Sequence, residues 1–229
     1  PTFLRELISK REYPLPQLEE IKLTQEVFSE YDPDRLNAEA ILYQAGYLTI
    51  ERIEEGGEIY VLGFPNYEVK KAFLSKISEY YTGVEAQKGG VYIIEMRKSL
   101  ERGDIEEFIE RMKIFYESIP YDINDRIRHR EQYYQSIGYC VMKLLSLQVG
   151  TELKTARGRI DLVIETKDKV YIIELKIGSR AEEAIRQIEE KNYALPYRAR
   201  GKRIYLVGIG FNVEKRNIDS YKVKILHRL

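Results

Sequence analysis

The sequence predicts a mixed α/β (α+β) protein in two parts. Residues 1–118 read as a unit of helices and one hairpin, and residues 119–229 as an αβββαβ core. Three observations carry this reading. Residues 159–166 alternate, with Arg159, Asp161, Val163 and Glu165 on one face and Ile160, Leu162, Ile164 and Thr166 on the other, the period of a half-buried strand. Residues 169–177 form a second β-rich run, with Tyr171, Ile173, Leu175 and Ile177 opposite Val170, Ile172, Glu174 and Lys176. Helical stripes flank this pair, and the apolar run RIYLVG at 203–208 supplies a further buried strand.

Taken in order, residues 2–10 read as a short helix, Pro14 and Pro16 break the chain after it, and 17–31 has no clear period. Asp32-Pro33-Asp34 starts a helix, with acids at the positive end of its dipole. That helix runs to about Gln44, and Gly46 ends it. Tyr47–Ile53 and Glu58–Gly63 read as strands joined by a turn at Glu54-Glu55-Gly56-Gly57, with a helix after them from about Asn66 to Tyr81. Helix, hairpin and helix in this order resemble a winged-helix unit. Its charges do not suit phosphate contact, which needs Lys and Arg. The first helix carries Asp32, Asp34 and Glu39 against Arg35, and the wing carries Glu51, Glu54, Glu55 and Glu58 against Arg52. These charges point to a packing or protein-contact role.

Residues 91–117 read as a helical pair hinged at Gly103-Asp104, with Ile105, Phe108, Ile109 and Met112 at helical spacing. Residues 118–122 mark the expected junction. A long helix is expected over 126–148, with Tyr133, Tyr134, Ile137, Val141, Leu144, Leu145 and Leu147 as its apolar stripe. Strands are expected next at about 150–155, 159–166 and 169–177. After them come a helix at 179–193, with Ala181, Ala184, Ile185 and Ile188 inward, the strand at 203–208, and a further strand at 222–226.

Lys167-Asp168 is the one plausible turn between the central strands. A two-residue loop pairs Thr166 with Lys169, which sets Asp161 opposite Glu174 and Arg159 opposite Lys176, all four on one face. Directly opposed like charges destabilise a sheet. A divalent cation between the two acids turns that repulsion into coordination, and hard cations such as Mg2+ prefer oxygen ligands. The near-repeat VYIIEMRK at 91–98 lacks this chemistry: Arg97 replaces the Lys, and no Asp occurs from Leu36 to Gly103.

D-x(12)-E-x-K on a hairpin resembles the PD-(D/E)XK nuclease superfamily, on Asp161, Glu174 and Lys176, with Ile160 where the motif's name has Pro. The context TARGRIDLVIET, VYIIELK and AEEAIRQIEEKNY is similar to the nuclease-like region at the C-terminus of prokaryotic AAA-ATPase-like proteins. The resemblance implies a restriction-endonuclease-like core and a Mg2+ (or Mn2+) cofactor held by Asp161, Glu174 and the Leu175 carbonyl. It implies Glu131 as a third ligand, although a solvated first-turn acid explains Glu131 equally well; Gln135 stands where many relatives carry a His. It sets Gln187 or Lys191 beside metal or nucleic acid, with a polar helix edge as the plainer explanation of Lys191. Lys176 would orient a water or stabilise charge on the phosphate, with Arg157 and Arg159 positioning the backbone, and hydrolysis would leave a 5′-phosphate.

Composition bounds these expectations. The 229 residues suffice for one large or two small domains, and 44% are hydrophobic. A single Cys excludes an intramolecular disulfide and fits a reducing, cytoplasmic setting. No apolar run reaches the roughly 18 residues of a membrane span, and no signal peptide or P-loop is present. Cys140 belongs to a helix core, and His129 and His227 have no zinc-spaced partner. The net charge of zero divides into −7 for residues 1–150 and +7 for Thr151–Leu229. A basic second part with an acidic pair suits a polyanionic substrate held near a metal, and a chance placement of a few surface lysines is the plainer reading. The chain opens on Pro1 rather than Met, which leaves room for an ATPase domain before it. Two functions remain open: a metal-dependent DNA nuclease, and an inactive nuclease-fold module that docks DNA or protein within a larger ATPase.

Overall fold

The structure, a computed structural model, describes residues 21–28, 38–120, 130–149 and 161–226. The expected helix at 2–10, the helix start at Asp32-Pro33-Asp34, the strand at 150–155, and Arg157 and Arg159 lie outside these residues. Contacts divide the chain into two compact units, 1–74 and 75–229.

In the first unit, β1 (Ile21–Thr24) leads into a single helical turn, α1 (Gln25–Phe28), and α2 (Ala38–Gln44) precedes β2 (Thr49–Glu54) and β3 (Ile59–Gly63). The strands form an antiparallel sheet in the order β1-β3-β2. β1 falls in the stretch whose sequence shows no clear period; pairing with β3 makes it a strand, with Ile21 and Leu23 buried and Lys22 and Thr24 exposed. Gly56 and Gly57 take positive φ in the turn between β2 and β3, a conformation open to glycine without strain. α3 (Tyr67–Thr82) begins in this unit, and the Phe73 ring meets Tyr47 and Phe64 at 5.6 and 5.3 Å between centroids.

The second unit begins within α3 and continues with two helices packed on each other, α4 (Ala86–Arg102) and α5 (Ile105–Glu117). Gly103 ends α4 in the left-handed region, and the Asp104 carboxylate accepts from the Glu107 backbone N–H to start α5. That is the hinge expected from the sequence, and it satisfies groups that helix ends leave unpaired. The sequence boundary at 118 is not where the contacts divide. α4 packs on α6 (Arg130–Val149) and α5 on β7 (Asn217–Leu226), so both helices join the second unit.

The second sheet runs β4-β5-β6-β7, with β4 (Leu162–Glu165), β5 (Lys169–Ile177) and β6 (Arg203–Asn212). β4 and β7 are antiparallel to their neighbours, while β5 and β6 are parallel and joined through α7 (Ala181–Glu190) and the short α8 (Leu195–Arg198). β7 begins five residues earlier than expected because its ladder with β6 continues to Asn217, past an irregularity near Phe211. One face of the sheet packs Val163, Val170, Ile172, Ile204 and Leu206 against Ile185, Ile188, Tyr193 and Tyr197. On the other, Phe211 meets Tyr134 of α6 and Tyr116 of α5 at 4.6 and 4.7 Å between ring centroids. Covered on both faces, β5 is apolar on both sides of its pleat from Val170 to Ile173, as buried parallel strands are.

Candidate functional site

The β4–β5 ladder pairs Leu162 with Ile173, Val163 with Ile172, Ile164 with Tyr171 and Glu165 with Val170. The Thr166 N–H donates to the Lys169 carbonyl at 2.8 Å, closing the two-residue turn Lys167-Asp168. This is the register expected from the sequence. Continued by one position, it places Asp161 opposite Glu174. Asp161 precedes β4, and its Oδ2 accepts from the Leu175 backbone N–H at 2.8 Å. Its side chain thus occupies a ladder donor of β5 where strand pairing ends.

Glu174 is only 2% exposed. The burial comes from the helix beyond β5: α7 turns Ala184, Ile185 and Ile188 onto the sheet and brings Gln187 over the acid. Glu174 Oε1 accepts from Gln187 Nε2 and from Lys176 Nζ, the latter at 3.3 Å, and Lys176 Nζ also donates to Gln187 Oε1. One amide therefore holds both the acid and the ammonium, and its two ends are oriented by opposite needs. Among the described residues, the buried Glu174 Oε2 has no hydrogen-bond partner. Desolvation, then the neighbouring Asp161 charge, push the Glu174 carboxyl up to about 7, against the partial offset of Lys176.

Tyr193 completes the group, and sequence reasoning missed it. The residue is buried. Burial first, then the Glu174 charge, raise its phenol, while a hydrogen bond with Gln187 acts the other way. The helix expected over 179–193 ends at Glu190, and Tyr193 stands in the turn beyond it, where helical spacing carries no signal.

The other candidate residues are not gathered at this cluster. Glu131, in the first turn of α6, is exposed; its Oε1 lies 3.9 Å from where a Cβ on Gly178 would stand, just beyond the end of β5. Among the described residues no third acid, His or Cys joins Asp161 and Glu174 in a metal-holding group. Lys191 is exposed at the C-terminal cap of α7. Leu175 contributes its N–H to Asp161. Cys140 is buried, which pushes its thiol upward and removes it from nucleophilic chemistry.

The donors that converge fit a hard divalent cation. Two carboxylates stand side by side, and among the described residues one buried oxygen lacks the partner that burial normally demands. A cation there would satisfy that oxygen and offset both the burial and the Asp161 charge that raise Glu174.

Among the described residues, no helix is long and apolar enough to cross a membrane. No solved structure matches the chain. It is 34% identical over 236 residues to an uncharacterized protein in the vnfD 5′ region of Azotobacter chroococcum mcd 1; the alignment covers 99% of this chain and 45% of that protein, so the chain spans about half of that relative's length. Residues 129–221, which contain Asp161, Glu174, Lys176 and Gln187, match the family model of the PD-(D/E)XK nuclease superfamily.

Proposed function

We propose that the second unit is a metal-dependent nuclease that hydrolyses phosphodiester bonds in DNA. The observation that carries the reading is the buried Glu174, one oxygen unpartnered, beside Asp161 and within 3.3 Å of the Lys176 ammonium. Asp161, Glu174 and the Leu175 carbonyl would hold Mg2+ or Mn2+. When bound, the metal polarises a phosphodiester oxygen and lowers the pKa of a bound water. Lys176, held by Gln187, offers a fixed positive charge to the phosphate. Arg157, Arg159 and Lys191 position the nucleic acid backbone. The acidic first unit serves as a winged-helix-like protein-contact module, in keeping with a longer protein whose remaining part is AAA-ATPase-like.

Incubation with plasmid, linear and branched DNA and with RNA, in Mg2+, Mn2+ or EDTA, tests this. We expect metal-dependent DNA cleavage that ends in 5′-phosphates and falls at least ~100-fold in Asp161→Asn and in Lys176→Met. Cleavage that survives both substitutions would sink the assignment. The second reading, an inactive docking module, is favoured by one observation: among the described residues no third acid joins the pair. Binding of DNA without cleavage in any metal would decide for it.

A further inference from the structure

The positive excess of the second unit is concentrated at the opposite end of its sheet from the acid pair. From Lys191 to Arg203 the chain carries five cations, Lys191, Arg198, Arg200, Lys202 and Arg203, and no acid. The fold fastens this segment to the β4–β5 turn. The Arg203 N–H donates to the Asp168 carbonyl at 3.0 Å, and Lys202 Nζ donates to the Thr166 carbonyl at 2.6 Å. Arg200 and Lys202 both pair with Glu165, the latter at 2.9 Å, and the Arg200 guanidinium lies 5.0 Å from the Tyr197 ring centre. In the turn, Lys169 pairs with Asp168 at 3.0 Å, and Lys167 is exposed. Seven cations thus meet two acids on one rim, and Arg198, Arg203 and Lys167 stand exposed on it.

The division of labour within the rim is informative. Glu165 holds the Arg200 and Lys202 side chains, and the Thr166 and Asp168 carbonyls hold Lys202 and the Arg203 backbone, which orders the segment and leaves it with an excess of positive charge. Register sets its distance from the acids. Lys169 pairs with Arg203, and Glu174 lies five residues further along β5, roughly 17 Å at about 3.3 Å per residue. That is about five nucleotide steps of a duplex at ~3.4 Å each.

We infer that Lys191–Arg203, with Lys167, is a docking rim for the phosphate backbone of a nucleic acid. The inference rests on the nuclease reading for its substrate class, and locates where a polyanion is held away from the reacting bond. Cation-rich, acid-poor surface of this kind binds phosphates with little sequence preference and strong salt dependence.

The test uses the full chain carrying Asp161→Asn, to prevent cleavage, and fluorescein-labelled DNA, a 30-base-pair duplex and a 30-nucleotide single strand. Binding is measured by anisotropy across a salt series. The rim triple variant Lys167→Gln, Arg198→Gln, Arg203→Gln removes exposed charge and leaves the Glu165 pairs intact. A charge-matched control replaces Lys98, Lys215 and Lys222 by Gln. We expect the rim variant to weaken binding about tenfold or more near 0.1 M salt, and to lower the slope of log K against log salt by about 2–3. The control should change affinity less than twofold. The single variants Arg198→Gln and Arg203→Gln, each expected to lower the slope by about 1, replace the triple if thermal unfolding shows it misfolded. Whichever of the duplex and the single strand responds more identifies the form held.

If the parent binds DNA and the rim and control variants behave alike, the rim assignment is overturned and the nuclease reading stands. If the parent binds neither DNA at any salt, the nuclease reading falls and the rim with it.

Discussion

Glu174 is a carboxyl that its own fold makes harder to ionise. Burial and Asp161 raise it to about 7, whereas in the unfolded chain it titrates near the ordinary value of about 4.3. Between those values the folded protein holds a proton that the unfolded chain has released, so in metal-free buffer stability falls as pH rises through the window. The slope is at most about 1.4 kcal/mol per pH unit. Urea unfolding in EDTA at pH 5 and pH 8 should show this loss in the wild type, and Glu174→Gln should remove most of it. Equal pH slopes in the two proteins would contradict the account. Gln187 is the neighbouring test. Gln187→Leu strips Glu174 of one donor and Lys176 of one acceptor, and should cost about 1–3 kcal/mol in the same urea assay. A Gln187→Glu protein should instead retain the acceptor for Lys176 but set a third acid against Glu174.

The approach of α7 to the sheet depends on two glycines of β6. A Cβ on Gly210 would stand 2.7 Å from the Ser179 carbonyl oxygen and 2.8 Å from the Ala181 nitrogen, and one on Gly208 would overlap the Ala181 carbonyl. These neighbours are backbone and cannot yield as a flexible side chain would. Gly208→Ala should therefore cost about 3 kcal/mol or more, at the overpacking end of core substitutions. It should also draw Gln187 away from Glu174, visible as a reduced effect of Gln187→Leu in the double variant. Additive losses would mean that α7 keeps its seat. The same sheet shows how weakly a short string specifies its element. VYIIEMR at 91–97 is helical and VYIIELK at 170–176 is a strand. In α4 the buried residues Ile93, Met96 and Leu100 fall three and four apart, so one stripe suffices. In β5 neighbours on both sides bury Val170 to Glu174 without a break. The flanking residues that extend the helical stripe to Leu100 decide the first case, and strand partners decide the second.

For the chain as a whole, a divalent cation should act as a folding ligand. Mn2+ at about 100 times its Kd stabilises a protein by about 2.7 kcal/mol. At the roughly 2–4 °C per kcal/mol of chains this size, the melting temperature should rise by several degrees in wild type. It should rise less at pH 5, where Glu174 is protonated, than at pH 8, and not at all in the double variant Asp161→Asn, Glu174→Gln. A shift of equal size in that variant would locate the cation elsewhere. The two units divide the charge as the sequence does. The acidic excess of residues 1–150 includes the whole first unit, and the basic excess falls in the part of the second unit that holds the acid pair.

Much of the second unit was legible in the order of residues. Period-two alternation placed β4 and β5, the two-residue turn set their register, and register put Asp161 opposite Glu174; each step is local, governed by pleat and turn geometry. The Gly103-Asp104 hinge was legible for the same reason, since its cap bonds lie within a few residues. What only the packed molecule decided involves partners distant in sequence. β1 gains its strand character from β3, and α4 and α5 join the second unit because α6 and β7 cover them. Gln187 meets Glu174, with Tyr193 hydrogen-bonded to Gln187, because α7 is pressed onto the glycines of β6. Glu131 remains near the end of β5 without joining the acids, because the position of a helix against a sheet is set by side-chain volumes along the whole interface, and no local period encodes it.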